Sequence, residues 1–342
     1  MKILLHAAVD ISLPGGVETH LRELALGLMA RGHEVEIHAR PASLAPFRMV
    51  PAMDHARYDI VHDHGTAWPG AGPHPRYLRT AHFCTRAKMA VYVRMGRLKT
   101  LANLGNWRAV RGERAAARAG VRWIAVSERL RQELIRGYGV SPQRVVNIPN
   151  GASFGAPSID RAALRARWGL PPETPLLLTI GRRDFVKGFD LLERAWERVR
   201  RPRHATWIMI GGEREQRGPG RITTGPLPHE ALVDFLHAAD FGAFPSYYEG
   251  CGIVLLDMLA AGLYTLTHEV GIAREVIVPR VNGELIPRDL AAWSAALERR
   301  LVMPRARVAP LPPERGWSAM VDRVEALYQA MVQGATAAPV SG

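Results

Sequence analysis

Residues 245–257 read PSYYEGCGIVLLD, and this stretch decides the fold class. It follows a short apolar run, residues 241–244, and passes through a turn with two glycines into an apolar helix. A strand, a glycine turn and a helix in this order are typical of a doubly wound parallel α/β sheet. The glycines let backbone N–H groups approach a ligand closely, and the helix N-terminus behind them favours an anion.

Two carboxylates flank this turn. Glu249 and Asp257 lie eight residues apart, about two helical turns, so we expect both to face one cleft. Burying an unpaired Asp in the apolar run 253–259 would be costly, which argues for a specific role of Asp257. Carboxylates that can hold hydroxyls, beside a helix dipole that can hold phosphate, are what a sugar nucleotide requires.

The composition is that of a globular protein with room for two domains. The chain has 342 residues, of which 47% are hydrophobic and 23% charged. It contains no run of about 18 apolar residues that could span a membrane, and its N-terminus reads as a buried strand instead of a signal peptide. Two cysteines, Cys84 and Cys251, form no disulfide framework or metal cluster, which indicates a reducing cytoplasm. We expect Cys251 to be a small packing residue instead of a reactive thiol.

The formal net charge of +13 points to an anionic partner, and residues 86–118 hold nine Lys or Arg against one acid, Glu113. Nucleic acid, an anionic membrane face and a phosphorylated ligand compete as partners. No helix-turn-helix, RNP or zinc-finger signature is present, so we exclude nucleic acid. Apolar residues alternate with the Lys and Arg residues of this stretch, as in a helix that lies on acidic lipid. A solvated basic face is an equal alternative.

Short apolar strands alternate with helices along the whole chain, which predicts two doubly wound parallel sheets with a cleft at their carboxyl ends. The alternation lapses at residues 149–157, which we interpret as a linker. We predict an N-terminal domain at 1–155, a C-terminal domain at 156–312, and a final helix within 313–333 that crosses back to the first domain. The predicted strands are 2–7, 34–39, 60–64, 78–82, 123–127, 145–148, 175–181, 207–211, 221–224, 241–244 and 264–267. The predicted helices are 17–31, 108–118, 128–138, 161–168, 190–200, 229–239, 252–261 and 317–331.

Two further loops carry groups for an anionic ligand. Gly15 and Gly16 open a helix after the first strand, where the backbone can approach a phosphate or sugar, although a plain tight turn would look the same. The pattern is not G-x-G-x-x-G, which argues against a nicotinamide dehydrogenase. Arg182 and Lys187 flank the loop after strand 175–181 and can together neutralise a leaving diphosphate without a metal. Arg183 is the weaker candidate in that loop.

Histidines end two further predicted strands. The order His62, Asp63, His64 resembles a metal-binding pattern, but only His62 and His64 share a side of the strand, and the sequence offers no further nearby ligand. We therefore predict no metal. His82 can contact a sugar hydroxyl or phosphate, or can be a buried structural histidine.

Taken together, these segments resemble the retaining GT-B glycosyltransferases of glycosyltransferase family 4. The similarity runs through nearly the whole chain in family order. It is carried by the glycine pair 15–16 and by YDIVHDHG, RTAH, WIAVSERL, VVNIPNG, GRRDFVKGFDLL, MIGG, AADFGAFPSYYEGCGIVLLDMLAAG, GIAREVI, VNGELIP and WSAMVDRVEALY.

The resemblance implies two facing Rossmann-like domains and a role for each matched residue. Arg182 and Lys187 would bind the donor diphosphate, Glu249 the transferred sugar, and Asp257 the ribose. His82 would lie near the donor sugar and acceptor, so Glu249, His82, Lys187 and Arg182 form the implied catalytic set. Backbone groups would complete the donor site at Gly15, Gly16, Gly250, Cys251, Gly252, Ile253 and Val254. Transfer would retain the anomeric configuration and need no cofactor or divalent metal, since the donor, a UDP- or GDP-sugar, is a substrate.

Three departures from the family pattern stand out. Asp257 replaces the second Glu of the E-x7-E motif and is one methylene shorter. Ile272 stands in place of the second glycine of GGIPE, and Arg274 in place of its proline, so an unusual donor pocket is expected. The region between Arg40 and Asp59 is abbreviated, which suggests trimmed acceptor loops.

We therefore expect a hexosyltransferase that uses a nucleotide sugar and a saccharide or glycolipid acceptor in lipopolysaccharide, cell-envelope polysaccharide or glycolipid synthesis. It would be cytoplasmic, and peripheral on the inner membrane face if the basic stretch binds lipid. Soluble natural-product glycosylation and a catalytically silent sugar-nucleotide-binding protein are the alternatives. A phosphorylase or epimerase of this architecture ranks last.

Overall fold

The structure is a computed structural model that describes residues 1–65, 74–200, 202, 205–303 and 308–334. The described residues divide into two compact units. Unit 1 comprises residues 1–151 together with the described chain from Glu314 onward, and unit 2 comprises residues 152–313. None of the described helices is long and apolar enough to cross a membrane.

Unit 1 is built on a parallel sheet. Its strands are β1 (Lys2–Asp10), β2 (Glu34–Arg40), β3 (Arg48–Met49), β4 (Ile60–Asp63), β5 (Tyr77–Ala81), β6 (Arg122–Ala125) and β7 (Val145–Asn147). Its first four helices are α1 (Gly16–Ala30), α2 (Thr85–Arg94), α3 (Leu104–Arg118) and α4 (Glu128–Tyr138), with 3₁₀ turns at His55–Arg57, Leu98–Ala102 and Pro142–Arg144. The described strands run in the order β3-β2-β1-β4-β5-β6-β7, so strand order reverses between β1 and β4, where a doubly wound sheet binds its ligand.

Unit 2 repeats this architecture. Its strands are β8 (Leu176–Ile180), β9 (Thr206–Ile210), β10 (Gln216–Gly218), β11 (Arg221–Thr224), β12 (Phe241–Phe244), β13 (Thr265–Thr267) and β14 (Gly283–Leu285). Its helices are α5 (Arg161–Arg167), α6 (Phe189–Arg198), α7 (His229–Ala238), α8 (Ile253–Ala260), α9 (Ala273–Val276) and α10 (Leu290–Val302), with a 3₁₀ turn at Phe185–Lys187. The order β10-β11-β9-β8-β12-β13-β14 places the reversal between β8 and β12. Two parallel α/β sheets are thus confirmed, although the edge strand β10 is antiparallel to β11.

Several described elements are not predicted by the sequence pattern: β3, β10, β14, α2, α9 and α10. The strands have two or three residues, too few to show an alternation, and they form by pairing with a neighbouring strand. Helix α10 carries a readable signal, because Trp293, Leu297 and Leu301 recur every four residues and are buried. Helix α3 begins at Leu104, earlier than predicted, because the Asn103 side chain accepts hydrogen bonds from the next turn.

A last helix, α11 (Trp317–Val332), follows a 3₁₀ turn at Pro313–Arg315 and packs on α1 within unit 1. Glycines permit the close approach. A Cβ at Gly27 would lie 2.6 Å from a Val321 methyl, and a Cβ at Gly151 would lie 2.3 Å from the backbone nitrogen of Trp317.

We expect Gly151→Ala to lower the free energy of unfolding of unit 1 by about 1–3 kcal/mol, since the Cβ meets backbone that cannot rotate away. Urea unfolding followed by circular dichroism measures this. Gly225→Ala is the matched control, because no atom lies within 4 Å of its Cβ position. Equal stability of the two variants would contradict the tight docking of α11.

Candidate functional site

The loops that follow β8 and β12 lie side by side at the reversal of strand order in unit 2. The backbone N–H of Tyr247 donates to the carbonyl of Val186 at 2.7 Å. Gly188 has φ 67°, and a Cβ there would lie 2.0 Å from the carbonyl oxygen of Pro245. Only glycine permits this conformation and contact, so Gly188 brings the two loops together.

This juxtaposition brings two of the candidate side chains into contact. Lys187 Nζ donates to Glu249 Oε1 at 2.8 Å, although the residues are 62 positions apart in sequence. The two side chains are 24% and 15% exposed, so a ligand can reach them. The pair thus provides one cation and one carboxylate at the carboxyl edge of the sheet.

Arg182 and Arg183 have different surroundings. Arg183 donates to both carboxylate oxygens of Glu193, at 2.8 and 2.9 Å. Arg182 is exposed, and no described carboxylate lies within salt-bridge distance of it. Of the two, Arg182 is therefore the one whose charge is available to an anion.

Helix α8 begins directly after the glycine turn, and no side chain caps its N-terminus. Gly252 is the N-cap of α8, has φ 106°, and makes no side-chain hydrogen bond to the helix. The N-terminal N–H groups of such a helix attract anions, because a helix leaves its first donors without intrahelical partners. The turn is buried, and the Cys251 carbonyl accepts from the N–H of Ile272 at 2.8 Å.

The expectation that Glu249 and Asp257 lie two helical turns apart is wrong. Helix α8 begins only at Ile253, because the positive φ of Gly252 interrupts helical geometry before it. Asp257 lies in the second turn of α8, half-buried, and its Oδ1 accepts from the backbone N–H of Ser153 at 2.9 Å.

The two residues that depart from the GGIPE pattern, Ile272 and Arg274, differ in burial. Ile272 is fully buried, so its side chain belongs to the core of unit 2. Arg274 is exposed and pairs with Glu269 at 2.6 Å. Gly271, with φ 49°, contacts Cys251, since a Cβ there would lie 1.9 Å from its carbonyl oxygen. The segment therefore packs on the glycine turn through backbone.

In unit 1 the sheet brings together histidines that are distant in sequence. His64 and His82 follow β4 and β5, which are neighbours, and His20 lies on α1 after β1. His64 Nδ1 lies 3.1 Å from His82 Nε2, a hydrogen bond in which one nitrogen donates. The His20 ring stands edge-on to His82, with centroids 4.8 Å apart, and its Nδ1 lies 2.8 Å from Asn150 Oδ1.

The expectation that no further ligand lies near His64 is therefore wrong. Ring nitrogens of His20, His64 and His82 lie within 4.8 Å of one another. His62 contributes nothing to this group by hydrogen bonding, since its nitrogens contact Tyr328 Oη and Thr80 Oγ1. The histidine cluster, defined as His20, His64 and His82, was missed because its members meet only through strand order.

Burial holds the histidine cluster in the neutral form. It lowers the pKa of His20 to about 4 and that of His64 and His82 well below the usual value, with neighbouring imidazoles adding to the effect for the latter two. The Nε2 atoms of His20 and His64 are buried and have no hydrogen-bond partner among the described residues. His82 is the more exposed member, so it is the one that a substrate can reach.

The glycine pair of unit 1 opens α1. Gly15 is its N-cap in an extended conformation, and the Glu18 carboxylate folds back so that a Cβ on Gly15 would lie 2.0 Å from its Oε2. The carboxylate can move aside, because it is the end of a flexible side chain. The helix N-terminus is thus covered by an acid in this conformation.

Comparison with known protein families agrees with this arrangement. The family described as Glycosyltransferase Family 4 matches residues 41–154, which belong to unit 1 apart from the last three. The family described as Glycosyl transferases group 1 matches residues 174–302, in unit 2. The chain belongs to glycosyltransferase family 4.

Curated relatives of this glycosyltransferase include D-inositol 3-phosphate glycosyltransferases. The D-inositol 3-phosphate glycosyltransferase of Xylanimonas cellulosilytica is 27% identical over 83% of this chain and 82% of that protein. The enzyme of the same description from Kineococcus radiotolerans is 29% identical over 65% of this chain. The match spans only 60% of the latter enzyme's own length.

Solved structures show the GT-B fold of this family. Sucrose-phosphate synthase from Thermosynechococcus elongatus has a TM-score of 0.78 with 21% identity, covering 98% of this chain and all of that chain. WaaG, a glycosyltransferase involved in lipopolysaccharide biosynthesis, has a TM-score of 0.71 with 18% identity, covering 99% and 100%. Anabaena Alr3699/HepE in complex with UDP and glucose has a TM-score of 0.70 with 15% identity, covering 96% and 99%.

Proposed function

We propose that this glycosyltransferase moves a hexose-type sugar from a UDP- or GDP-sugar to an acceptor hydroxyl, with retention and without a metal ion. The observation that carries the donor assignment is the contact between Lys187 and Glu249 at the strand-order reversal of unit 2. In this contact, the Lys187 ammonium can bind phosphate and the Glu249 carboxylate can bind sugar hydroxyls. A few residues after Glu249, α8 begins without a side-chain cap. The similar fold of HepE, which was solved with UDP and glucose, supports a nucleotide sugar as donor.

Charge balance supports the metal-free mechanism. When the bond from the anomeric carbon to the diphosphate breaks, negative charge develops on the leaving phosphate oxygen. Lys187, Arg182 and the helix dipole of α8 would stabilise it, and Glu249 would hold a sugar hydroxyl. In the retaining route, a leaving phosphate oxygen takes the acceptor proton on the same face of the sugar. His82 would contact the sugar or acceptor as a neutral hydrogen-bonding group, consistent with its lowered pKa.

The acceptor is proposed to belong to lipopolysaccharide, cell-envelope polysaccharide or glycolipid synthesis, with the enzyme peripheral on an anionic membrane. The support is the surface of residues 95–107, where the exposed Arg97 and Lys99 lie among exposed apolar side chains. Such a surface favours a membrane-bound acceptor over a soluble natural product.

A thermal-shift panel of nucleoside diphosphates and their sugars, with and without EDTA, tests the donor site. We expect UDP or GDP and the matching sugar to raise the melting temperature equally with and without chelator. Asp257→Asn should reduce the shift, since Asp257 is proposed to hold the ribose. The control is Asp160→Asn, which removes an exposed carboxylate charge of unit 2 while an Asn there can still cap α5. No shift with any nucleotide would refute the donor site, and a shift lost with EDTA would refute the metal-free mechanism.

A further inference from the structure

The histidine cluster of unit 1 has the ligand types of a transition-metal site. Among the described residues, His20, His64 and His82 are the one group of three or more potential metal ligands, with ring nitrogens within 4.8 Å of one another. Their ring centres lie 5.2, 4.8 and 5.4 Å apart, so the three imidazoles are in mutual contact. Imidazole suits Zn²⁺ and its transition-metal neighbours, whereas Mg²⁺ and Ca²⁺ prefer oxygen ligands.

The separations of the ring nitrogens are close to those of a zinc site. Nitrogens bound tetrahedrally to Zn²⁺ at about 2.0–2.1 Å lie about 3.4 Å from one another. His64 Nδ1 and His82 Nε2 are 3.1 Å apart, and the third ring, His20, has a nitrogen within 4.8 Å of theirs. A small rotation of the His20 side chain would therefore complete a three-nitrogen set.

A buried amide orients His20 for this purpose. His20 Nδ1 lies 2.8 Å from Asn150 Oδ1, and Asn150 is buried. Because an amide oxygen only accepts hydrogen bonds, Nδ1 carries the proton and Nε2 carries the lone pair. Metal-binding histidines are held in this way, with the second ring nitrogen donating to an oxygen. His20 thus offers Nε2 as a ligand.

Two ring nitrogens lack the partner that a histidine used only for packing would have. His20 Nε2 and His64 Nε2 are buried and have no hydrogen-bond partner among the described residues. Roughly nine-tenths of buried polar groups in proteins are hydrogen-bonded, so each exception needs an explanation. Burial lowers the pKa of all three histidines, and the neutral imidazole is the form that binds a metal.

We propose that the histidine cluster binds one Zn²⁺ ion, and that this ion reversibly inhibits transfer by holding His82 away from the substrate. The ligands are His20 Nε2, His82 Nε2 and one ring nitrogen of His64. The proton of the hydrogen bond between His64 and His82 moves to the other nitrogen of its ring, so binding requires no net loss of a proton. Among the described residues no fourth ligand joins the group, which leaves a position for water.

The metal site goes beyond the proposed function, because the ion takes no part in the transfer reaction. Only the inhibition rests on that function, through the proposed contact of His82 with the sugar or acceptor. Zinc binding is therefore measured without donor or acceptor, and inhibition is measured separately.

Isothermal titration calorimetry with Zn²⁺ tests the site, using the full chain without a histidine tag after removal of metal by EDTA and dialysis. The wild type is expected to bind one ion, and Mg²⁺ should not compete. Asn150→Ala should weaken the affinity by about 10- to 100-fold, and His82→Gln by more. His82 is the more exposed member of the cluster, so His82→Gln should fold, which circular dichroism without metal checks.

His38→Gln is the matched control for zinc binding. His38 Nδ1 lies 3.0 Å from His6 Nδ1, so this variant removes another close histidine pair that lies outside the cluster. It should bind Zn²⁺ as the wild type does. Absence of binding, equal affinities of the wild type and His82→Gln, or an equal loss in His38→Gln would overturn the proposal.

Transfer measured with Zn²⁺ and with EDTA tests the inhibition. Zn²⁺ at about ten times its Kd occupies roughly nine-tenths of the sites and should lower the rate about tenfold, and EDTA should restore it. His20→Gln should resist, relative to its own rate without Zn²⁺. Equal inhibition of His20→Gln and the wild type would show that Zn²⁺ acts on the donor diphosphate, and bound Zn²⁺ with unchanged transfer would show no inhibition; either would overturn the proposal. Absence of transfer with every donor, while Zn²⁺ binding is intact, would refute the proposed function and leave the metal site standing.

Discussion

Replacing Lys187 with methionine or Glu249 with glutamine is expected to lower kcat/KM for glycosyl transfer by about 100- to 1000-fold. Lys187 would lose its interaction with the charge that develops on the leaving diphosphate, and Glu249 its charge-assisted hydrogen bond to the sugar. Each variant also leaves its partner unpaired, because the two side chains contact each other at 2.8 Å. Transfer from the nucleotide sugar identified in the thermal-shift panel is the measurement.

The fold should survive these changes. The two side chains are 24% and 15% exposed, so solvent screens the orphaned charge and the loss of stability should be about 1 kcal/mol or less. Arg183→Met is the matched control, because it removes a cation from the same loop that is committed to Glu193. Near-normal turnover in the Lys187 or Glu249 variant with unchanged melting, or an equal loss in Arg183→Met, would refute the site assignment.

Acidification is expected to destabilise unit 1 strongly. Burial lowers the pKa of His20 in the folded state from 6.5 to about 4. The unfolded chain therefore binds more protons between these values, and the stability from neutral His20 is present above pH 6.5 and lost as the pH falls towards 4. At about 1.4 kcal/mol per pH unit, His20 alone would cost about 3 kcal/mol by pH 4. Burial also lowers the pKa values of His64 and His82, so their protonation should destabilise the folded state in the same way.

Urea unfolding at a series of pH values between neutral and acid measures this loss. His20→Gln should be less stable at neutral pH, because its hydrogen bond with Asn150 is altered, but should lose less stability on acidification. His229→Gln, at an exposed position, should keep the wild-type pH dependence. If the free energy of unfolding of His20→Gln falls with pH as steeply as that of the wild type, buried neutral His20 is not the source of the acid sensitivity.

Local sequence patterns predicted the strands and helices that are long enough to show a period. The glycine turn after β12 and the loop after β8 were placed correctly because each joins a buried apolar run to a helix. The helical relation of Glu249 and Asp257 was wrong because spacing in sequence does not reveal that Gly252 adopts a positive φ. The strands β3, β10 and β14 were missed because their geometry comes from pairing with neighbours and not from their own residues.

The sequence by itself determined the two α/β units and the residue types for an anionic, hydroxyl-bearing ligand, because apolar periodicity and glycine positions are local properties. Only the tertiary structure decided which of these residues meet. Lys187 contacts Glu249 across 62 residues because β8 and β12 are adjacent. The histidine cluster forms because β1, β4 and β5 are adjacent. Strand order is set by the burial of whole sheets, a long-range free-energy term that no window of sequence contains.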